Sequence, residues 1–209
     1  MGGDVRTGRF AVADGASTSA RSEMWSQLLV DAYVQGSNPF AADVLAQLRR
    51  RWRELVMSPD LPWFALRKIE EGSAAAFLGV TIDPDQRAFH AIMVGDCCLF
   101  HIRRGQLLSA SPLDRSDQFS RFPELLSSRS GDDPKEPVER IGQLRDEDVL
   151  VLATDAMAKS LLRVFETHQR ILPLDMMTRS RDDFSRKVAS YRQRGYLDND
   201  DVTLCVVWA

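Results

Sequence analysis

Four aspartates stand at the ends of the most apolar stretches of this chain. Asp14 follows Phe10-Ala11-Val12-Ala13, Asp96 follows Ile92-Met93-Val94-Gly95, and Asp155 follows Val149-Leu150-Val151-Leu152-Ala153-Thr154. Asp200 stands just ahead of Val202-Thr203-Leu204. Short apolar runs of this kind read as buried strands. A carboxylate at the end of such a strand is rigidly held, yet lies where solvent and ligand reach it. Carboxylates brought together repel one another unless a cation neutralises them, and hard divalent ions such as Mg²⁺ and Mn²⁺ take oxygen ligands of this type. Taken singly, each Asp reads more simply as a turn or cap residue; the joint pattern is what points to a metal centre. Asp14-Gly15 adds a carbonyl that an ion can approach closely, because Gly carries no side chain. Asp198-Asn199-Asp200-Asp201 is an acidic loop before the closing strand and a candidate metal rim.

Other chemistries find less support. The three cysteines, Cys97, Cys98 and Cys205, are odd in number and lack a Cys-x-x-Cys spacing, so neither a disulfide framework nor a zinc site is expected. They read as buried thiols in strands. His90 and His101 fall in strand-like stretches and His168 among polar residues, and none is assigned a catalytic role. There is no Gly-x-Ser-x-Gly nucleophile elbow. Arg49, Arg50, Arg51 and Arg53 interleave with apolar residues at helical spacing and read as a solvated helix face rather than an anion site. A net charge of −3 gives no sign of a nucleic-acid partner. No run of about 18 apolar residues occurs, and Met1-Gly2-Gly3-Asp4-Val5-Arg6 lacks the features of a secretory leader, so a cytoplasmic chain without a membrane span is expected.

The elements that position the acids follow from periodicity. Gly8 to Ala13 reads as a strand ending in the Asp14-Gly15 turn. Met24, Trp25, Leu28, Leu29, Ala32 and Tyr33 recur at helical spacing, as do Val44, Leu45, Leu48, Trp52, Leu55 and Val56; Trp63 to Glu70 is a third, shorter helix. The period then changes. Ser73–Asp83, Arg87–Val94, Cys97–Arg103 and Gln106–Ala110 are strand-like, with turns at Pro84-Asp85, Gly95-Asp96 and Arg104-Gly105, an antiparallel meander. Ser111 to Pro137 is polar and proline-rich, a long loop with one helical turn expected at Phe122 to Leu126 and a candidate substrate rim. Val149 to Ala153 is a buried strand, followed by a helix through Phe165, a last helix at Phe184 to Tyr191 and a closing strand at Val202 to Trp208. At 209 residues this is one domain, with two sheets covered by helices on both sides.

The ordered set Phe10-Ala-Val-Ala-Asp-Gly15, Gly72-Ser-Ala-Ala75, Val94-Gly-Asp96 with Arg104-Gly105, Val149-Leu-Val-Leu-Ala-Thr-Asp155 and Asp200-Asp-Val-Thr203 resembles the metal-dependent type-2C serine/threonine protein phosphatases over nearly the whole chain. The resemblance implies an α+β fold, a four-layer α-β-β-α sandwich with two antiparallel sheets. It implies a centre of two Mn²⁺ or Mg²⁺ ions and hydrolysis of phosphoserine and phosphothreonine by a metal-activated water, with no protein nucleophile. Asp14 takes the place of the bridging carboxylate, the Gly15 carbonyl that of a further ligand, and Asp155 and Asp200 those of the remaining ligands. Asp96 matches an Asp that helps hold a third ion in some members.

The chain departs from the family at several points. Ala156 stands for the usual Gly, Cys97-Cys98 for Ser-Arg and Asp201 for Asn, and Ala16-Ser17 stands for Met-Gly, which points to a divergent bacterial-type member. The family's first strand and acidic N-terminal motif, with its phosphate-binding Arg, find no match, and Asp4, Arg6 and Arg9 are the only residues available for that part. The implied partner is a phosphoprotein substrate of a cognate serine/threonine kinase. The alternative is a catalytically degenerate phosphatase fold that binds or senses a partner; a small-molecule phosphohydrolase using the same site is a third reading.

Overall fold

The computed structural model describes residues 1–132, 136–169 and 180–208. Its strands form two antiparallel sheets. The first joins β1 (Gly2–Asp4), β2 (Arg9–Gly15), β3 (Ala74–Asp83), β4 (Ala88–Val94) and β8 (Val138–Gln143) in that order, with β7 (Leu126–Ser127) also paired to β3. The second runs β10 (Leu204–Trp208), β9 (Asp148–Ala153), β5 (Cys98–Arg103), β6 (Gln106–Ser111). Helices α1 (Ser22–Val34), α2 (Ala42–Val56) and α3 (Trp63–Glu71) cover the first sheet, and α4 (Asp155–His168) and α5 (Arg181–Gln193) cover the second. This is the expected α-β-β-α sandwich. No described helix is long and apolar enough to cross a membrane.

The layers follow from the two-residue period of a strand. In β9, Val149, Val151 and Ala153 pack under α4 and α5, while Leu150 and Leu152 face the other sheet. In β3, Ala75 and Phe77 meet α1, while Ala76, Leu78 and Val80 face inward. A strand buried on both faces has no polar side to show, which is why these segments read as unbroken apolar runs. Each fully buried Leu in the layer between the sheets contributes about 1.5–3 kcal/mol relative to exposure.

Three segments differ from the sequence expectation. A short strand, β1, precedes the first expected one. Phe122 to Leu126 forms no helical turn; the 3₁₀ turn lies earlier, at Ser116–Gln118, and Leu126–Ser127 adds to β3. Leu126 is fully buried, and its carbonyl accepts the indole N–H of Trp25 at 2.8 Å, so a tertiary contact decides its conformation. The third is β8, an edge strand whose residues Val138 to Ile141 are all exposed; with no buried face it has no alternating pattern to read.

One buried acid holds the second sheet from within. Asp148, 0% exposed, accepts hydrogen bonds from His101 Nε2 (2.8 Å), Arg103 Nε (2.5 Å) and Nη2 (2.8 Å), and the Arg145 amide (2.9 Å). A carboxylate only accepts, so His101 carries its proton on Nε2. Burial works against the charge on Asp148, but the bonds from Arg103, His101 and Arg145 outweigh it and hold the carboxyl well below its usual 3.8. A lowered pKa contributes stability that is present above the unfolded-state value and lost as pH falls below it. Asp148→Ala is expected to destabilise the protein by about 2 kcal/mol or more, read by urea denaturation at pH 7. The gap to the unsubstituted protein is expected to stay constant down to about pH 5 and to shrink as pH drops through 4.

Candidate metal centre

Strand register brings the strand-end acids together. In the first sheet Ala13, Phe77 and Val94 lie side by side, so Asp14 and Gly95-Asp96 leave from the same edge. In the second sheet Cys98, Ala153 and Leu204 lie side by side, so Asp96-Cys97, Thr154-Asp155 and the loop ending in Thr203 also share an edge. Residues Gly95 to Cys97 carry the chain from β4 in one sheet to β5 in the other, which makes the two edges one end of the sandwich. Asp14 has the parity of Val12, which faces the other sheet, so its carboxylate lies on the same side.

Two glycines permit this crowding. A Cβ on Gly15 would stand 2.6 Å from Ser22 Cβ and 2.8 Å from the Ser22 backbone, where α1 begins. Gly95 has φ +85°, and its Cβ would meet Ala76 Cβ at 2.7 Å and the Glu124 carbonyl at 2.9 Å. Only Gly combines that backbone with that proximity.

The acids feel one another. Asp14 has its carboxyl pushed up to about 7, first by burial, then by the charge of Asp155 and a hydrogen bond shared with it, then by Asp96 and Asp200. Asp96, 8% exposed, is pushed up to about 6 by burial and by Asp155. Asp96, Asp155 and Asp200 thus all lie within electrostatic reach of Asp14, with Asp200 at the exposed rim, and Gly15 lies next to Asp14 on the same strand. Among the described residues no three carboxylate, thiol or imidazole groups close into a ready ligand set as the side chains stand. The donors are nonetheless all hard oxygens with a surplus of negative charge, and that chemistry fits Mg²⁺ or Mn²⁺.

Cys97 and Cys98 sit beside this cluster and are fully buried. The Cys97 thiol is driven well up by burial and then by Asp14 and Asp96, and that of Cys98 is pushed up to about 12, chiefly by burial. Both stay protonated at neutral pH and are poor nucleophiles. Cys97 and Arg103 have a Cys-x5-Arg spacing, but β5 runs between them as an extended strand, and Arg103 is committed to Asp148. No phosphate-cradling loop forms there.

The acidic loop divides its labour. Asp200 and Asp201 are exposed at the rim. Asp198 belongs instead to a structural clasp: Lys159 Nζ at 3.1 Å and Arg163 Nη1 at 3.2 Å, both on α4, hold its carboxyl below the usual range. The residues considered for the N-terminal motif lie elsewhere. Asp4, Arg6 and Arg9 flank the β1–β2 turn, while Asp14 ends β2 about 17 Å away along the strand. Asp4 accepts from the Arg6 amide at 2.9 Å, and Arg9 stacks on Tyr33 with its guanidinium 4.2 Å from the ring centre while donating to the Tyr33 carbonyl at 2.6 Å. None of the three can serve the carboxylate cluster.

Beside Asp96 opens a cleft of about 250 Å³, lined in part by Leu113, Gln118, Ser120, Glu124 and Glu136. Described residues of the long polar loop thus form one wall of the cleft beside Asp96.

Raised carboxyl pKa values oppose folding once the groups ionise. Their cost is small below 3.8, grows as pH rises towards the folded values and levels off above them. In EDTA, Asp14→Asn is expected to be more stable than the unsubstituted protein at pH 8, with the advantage fading towards pH 4. Urea denaturation across that range checks it.

No family sequence model and no curated protein matches the chain. Solved structures do. The photosystem II phosphatase PBCP aligns over 100% of this chain and 89% of its own, at 17% identity and TM-score 0.57. The catalytic domain of the serine/threonine phosphatase PstP, solved in complex with 2 manganese ions, aligns over 95% and 85%, at 17% identity and TM-score 0.57. PppA, a key regulatory component of T6SS in Pseudomonas aeruginosa, aligns over 99% and 89%, at 21% identity and TM-score 0.55. With its two antiparallel sheets, its flanking helices and its acids at one end, the chain has the type-2C serine/threonine phosphatase fold.

Proposed function

We propose that residues 1–209 form a single type-2C phosphatase-like domain that hydrolyses phosphoserine and phosphothreonine in proteins with the help of two Mn²⁺ or Mg²⁺ ions. The observation that carries this reading is that the ends of two sheets meet at Asp14 and Asp96, with the charges of Asp155 and Asp200 bearing on Asp14 and that of Asp155 on Asp96. The manganese in the PstP structure of the same fold supports it. Asp14, the Gly15 carbonyl, Asp155 and Asp200 hold the ions, and Asp96 serves a third. When bound, the ions supply charge neutralisation on the phosphoryl group and activation of the attacking water.

The chain's own residues set the stage for that chemistry. β2, buried at Ala11 and Val12, carries Asp14, and Asp155 opens α4 two residues past the fully buried β9, so the sheets fix where both carboxylates start. Burial of Asp96 and partial burial of Asp14 strengthen the charge interactions those two groups make. The wall beside Asp96 formed by Leu113, Gln118, Ser120, Pro123, Glu124 and Glu136 is the surface available to the polypeptide on either side of the phosphoresidue. The reading places the protein in the cytoplasm, opposite a serine/threonine kinase. A second reading, a phosphatase fold that binds a partner without turnover, draws on the exposed Asp200 and the open arrangement of the carboxylates.

Hydrolysis of a phosphothreonine peptide is expected with Mn²⁺ and is expected to vanish in EDTA. Asp14→Asn and Asp155→Asn are each expected to lower kcat/KM by about 100-fold or more, a loss of roughly 3 kcal/mol of transition-state stabilisation, with an unchanged far-UV spectrum. Near-full activity of either variant would overturn the site assignment. Phosphopeptide binding without turnover under any of these conditions would favour the second reading.

A further inference from the structure

Thr154 occupies the N-cap position of α4, where a Thr hydroxyl ordinarily bonds an amide in its own helix's first turn. Here the side chain makes no such bond. Its Oγ1 accepts from the backbone N–H of Thr203 at 2.9 Å, and its own backbone N–H donates to the Thr203 carbonyl at 3.2 Å. Thr154 is 3% exposed, so both bonds are made away from competing water. They continue the β9–β10 pairing one step past its last regular partners, Ala153 and Leu204, to a residue that is no longer in a strand.

The two ends of this clip carry acids. Asp155 directly follows Thr154, and Asp200 lies three residues before Thr203. The rest of the loop is tied to the helices rather than to the sheet: Asp198 to Lys159 and Arg163 of α4, and the Asp200 carbonyl to the Arg192 guanidinium of α5. Those ties fix the loop's outer end. Among the described hydrogen bonds and ion pairs, only the Thr154–Thr203 clip joins the loop directly to the strand end that aims Asp155.

We propose that the Thr154 hydroxyl is a positioning group for the carboxylate cluster: it diverts its hydrogen bond from helix capping to the Thr203 amide and so sets the spacing between Asp155 and Asp200. It touches neither substrate nor reacting atoms. The part of this proposal that concerns ion affinity rests on the metal-dependent reading above; the part that concerns the loop does not. Groups that orient ligands from behind change metal affinity by about 10–100-fold when removed. Thr154→Val keeps the shape and removes the acceptor, while Thr154→Ser keeps the acceptor.

The test has two readouts on the full chain. In metal-free protein, amide hydrogen exchange is expected to quicken about tenfold or more from Asp200 to Thr203 in Thr154→Val, with β2 and β3 unchanged, and to stay as in the unsubstituted protein in Thr154→Ser. By calorimetry, Mn²⁺ affinity is expected to fall about tenfold or more in the Val variant and to be restored in the Ser variant. Should the Val variant not fold, Thr154→Ala removes the same acceptor without adding a buried methyl group. Unchanged exchange in the Val or Ala variant overturns the proposal, as does a Ser variant that behaves like Val. If the unsubstituted protein binds no Mn²⁺, the metal-dependent reading fails, and exchange alone decides the role of Thr154.

Discussion

Like-charged carboxylates held at one end of a sandwich are the constraint around which this structure is arranged. Asp14 and Asp96 are partly to fully withdrawn from water and carry raised pKa values, so in the absence of a cation their charge works against folding. Such a cluster persists only if something else over-determines it. That something is the apolar layer between the sheets, where Val12, Leu78, Met93, Leu150 and Leu152 pack with almost no exposure. The register enforced by this packing leaves the acids no choice of position: slipping a strand by one residue would exchange its two faces and turn the residues of the inner layer toward the helices.

The molecule uses buried acids in two opposite ways. Asp148 is fully buried and answered by His101, Arg103 and a backbone amide, so its charge is an asset to the fold. Asp14 and Asp96 are answered chiefly by other acids, so their charge is a liability to the fold and a resource for a cation. The contrast separates structural from functional carboxylates more sharply than burial alone. Asp198 falls on the structural side, since Lys159 and Arg163 neutralise it, although its neighbour Asp200 belongs to the cluster.

Much of this was legible along the chain because apolar strands announce themselves. The runs ending at Asp14, Asp96 and Asp155 are continuous, being buried on both faces, and a polar residue at the end of such a run stands out. What was not legible lacked a local pattern. β8 is exposed on its described faces and exists through its ladder to β4. Leu126 takes its extended form under Trp25, more than a hundred residues away in the chain. Thr154 looks like a helix cap from its neighbours, yet its hydroxyl serves a residue 49 positions downstream.

By itself, the sequence determined the residue types and the order of elements: helices and strands, their buried faces, and acids at strand ends whose chemistry suits hard divalent ions. Those are local properties, set by periodicity and side-chain type. Only the tertiary structure decided which acids meet. Asp14 and Asp200 are 186 positions apart and join one cluster because the Gly95–Cys97 crossing locks the ends of two sheets together. It also decided which acids are neutralised by the protein's own cations and which are left to one another, because electrostatic partnership depends on distance in space rather than along the chain.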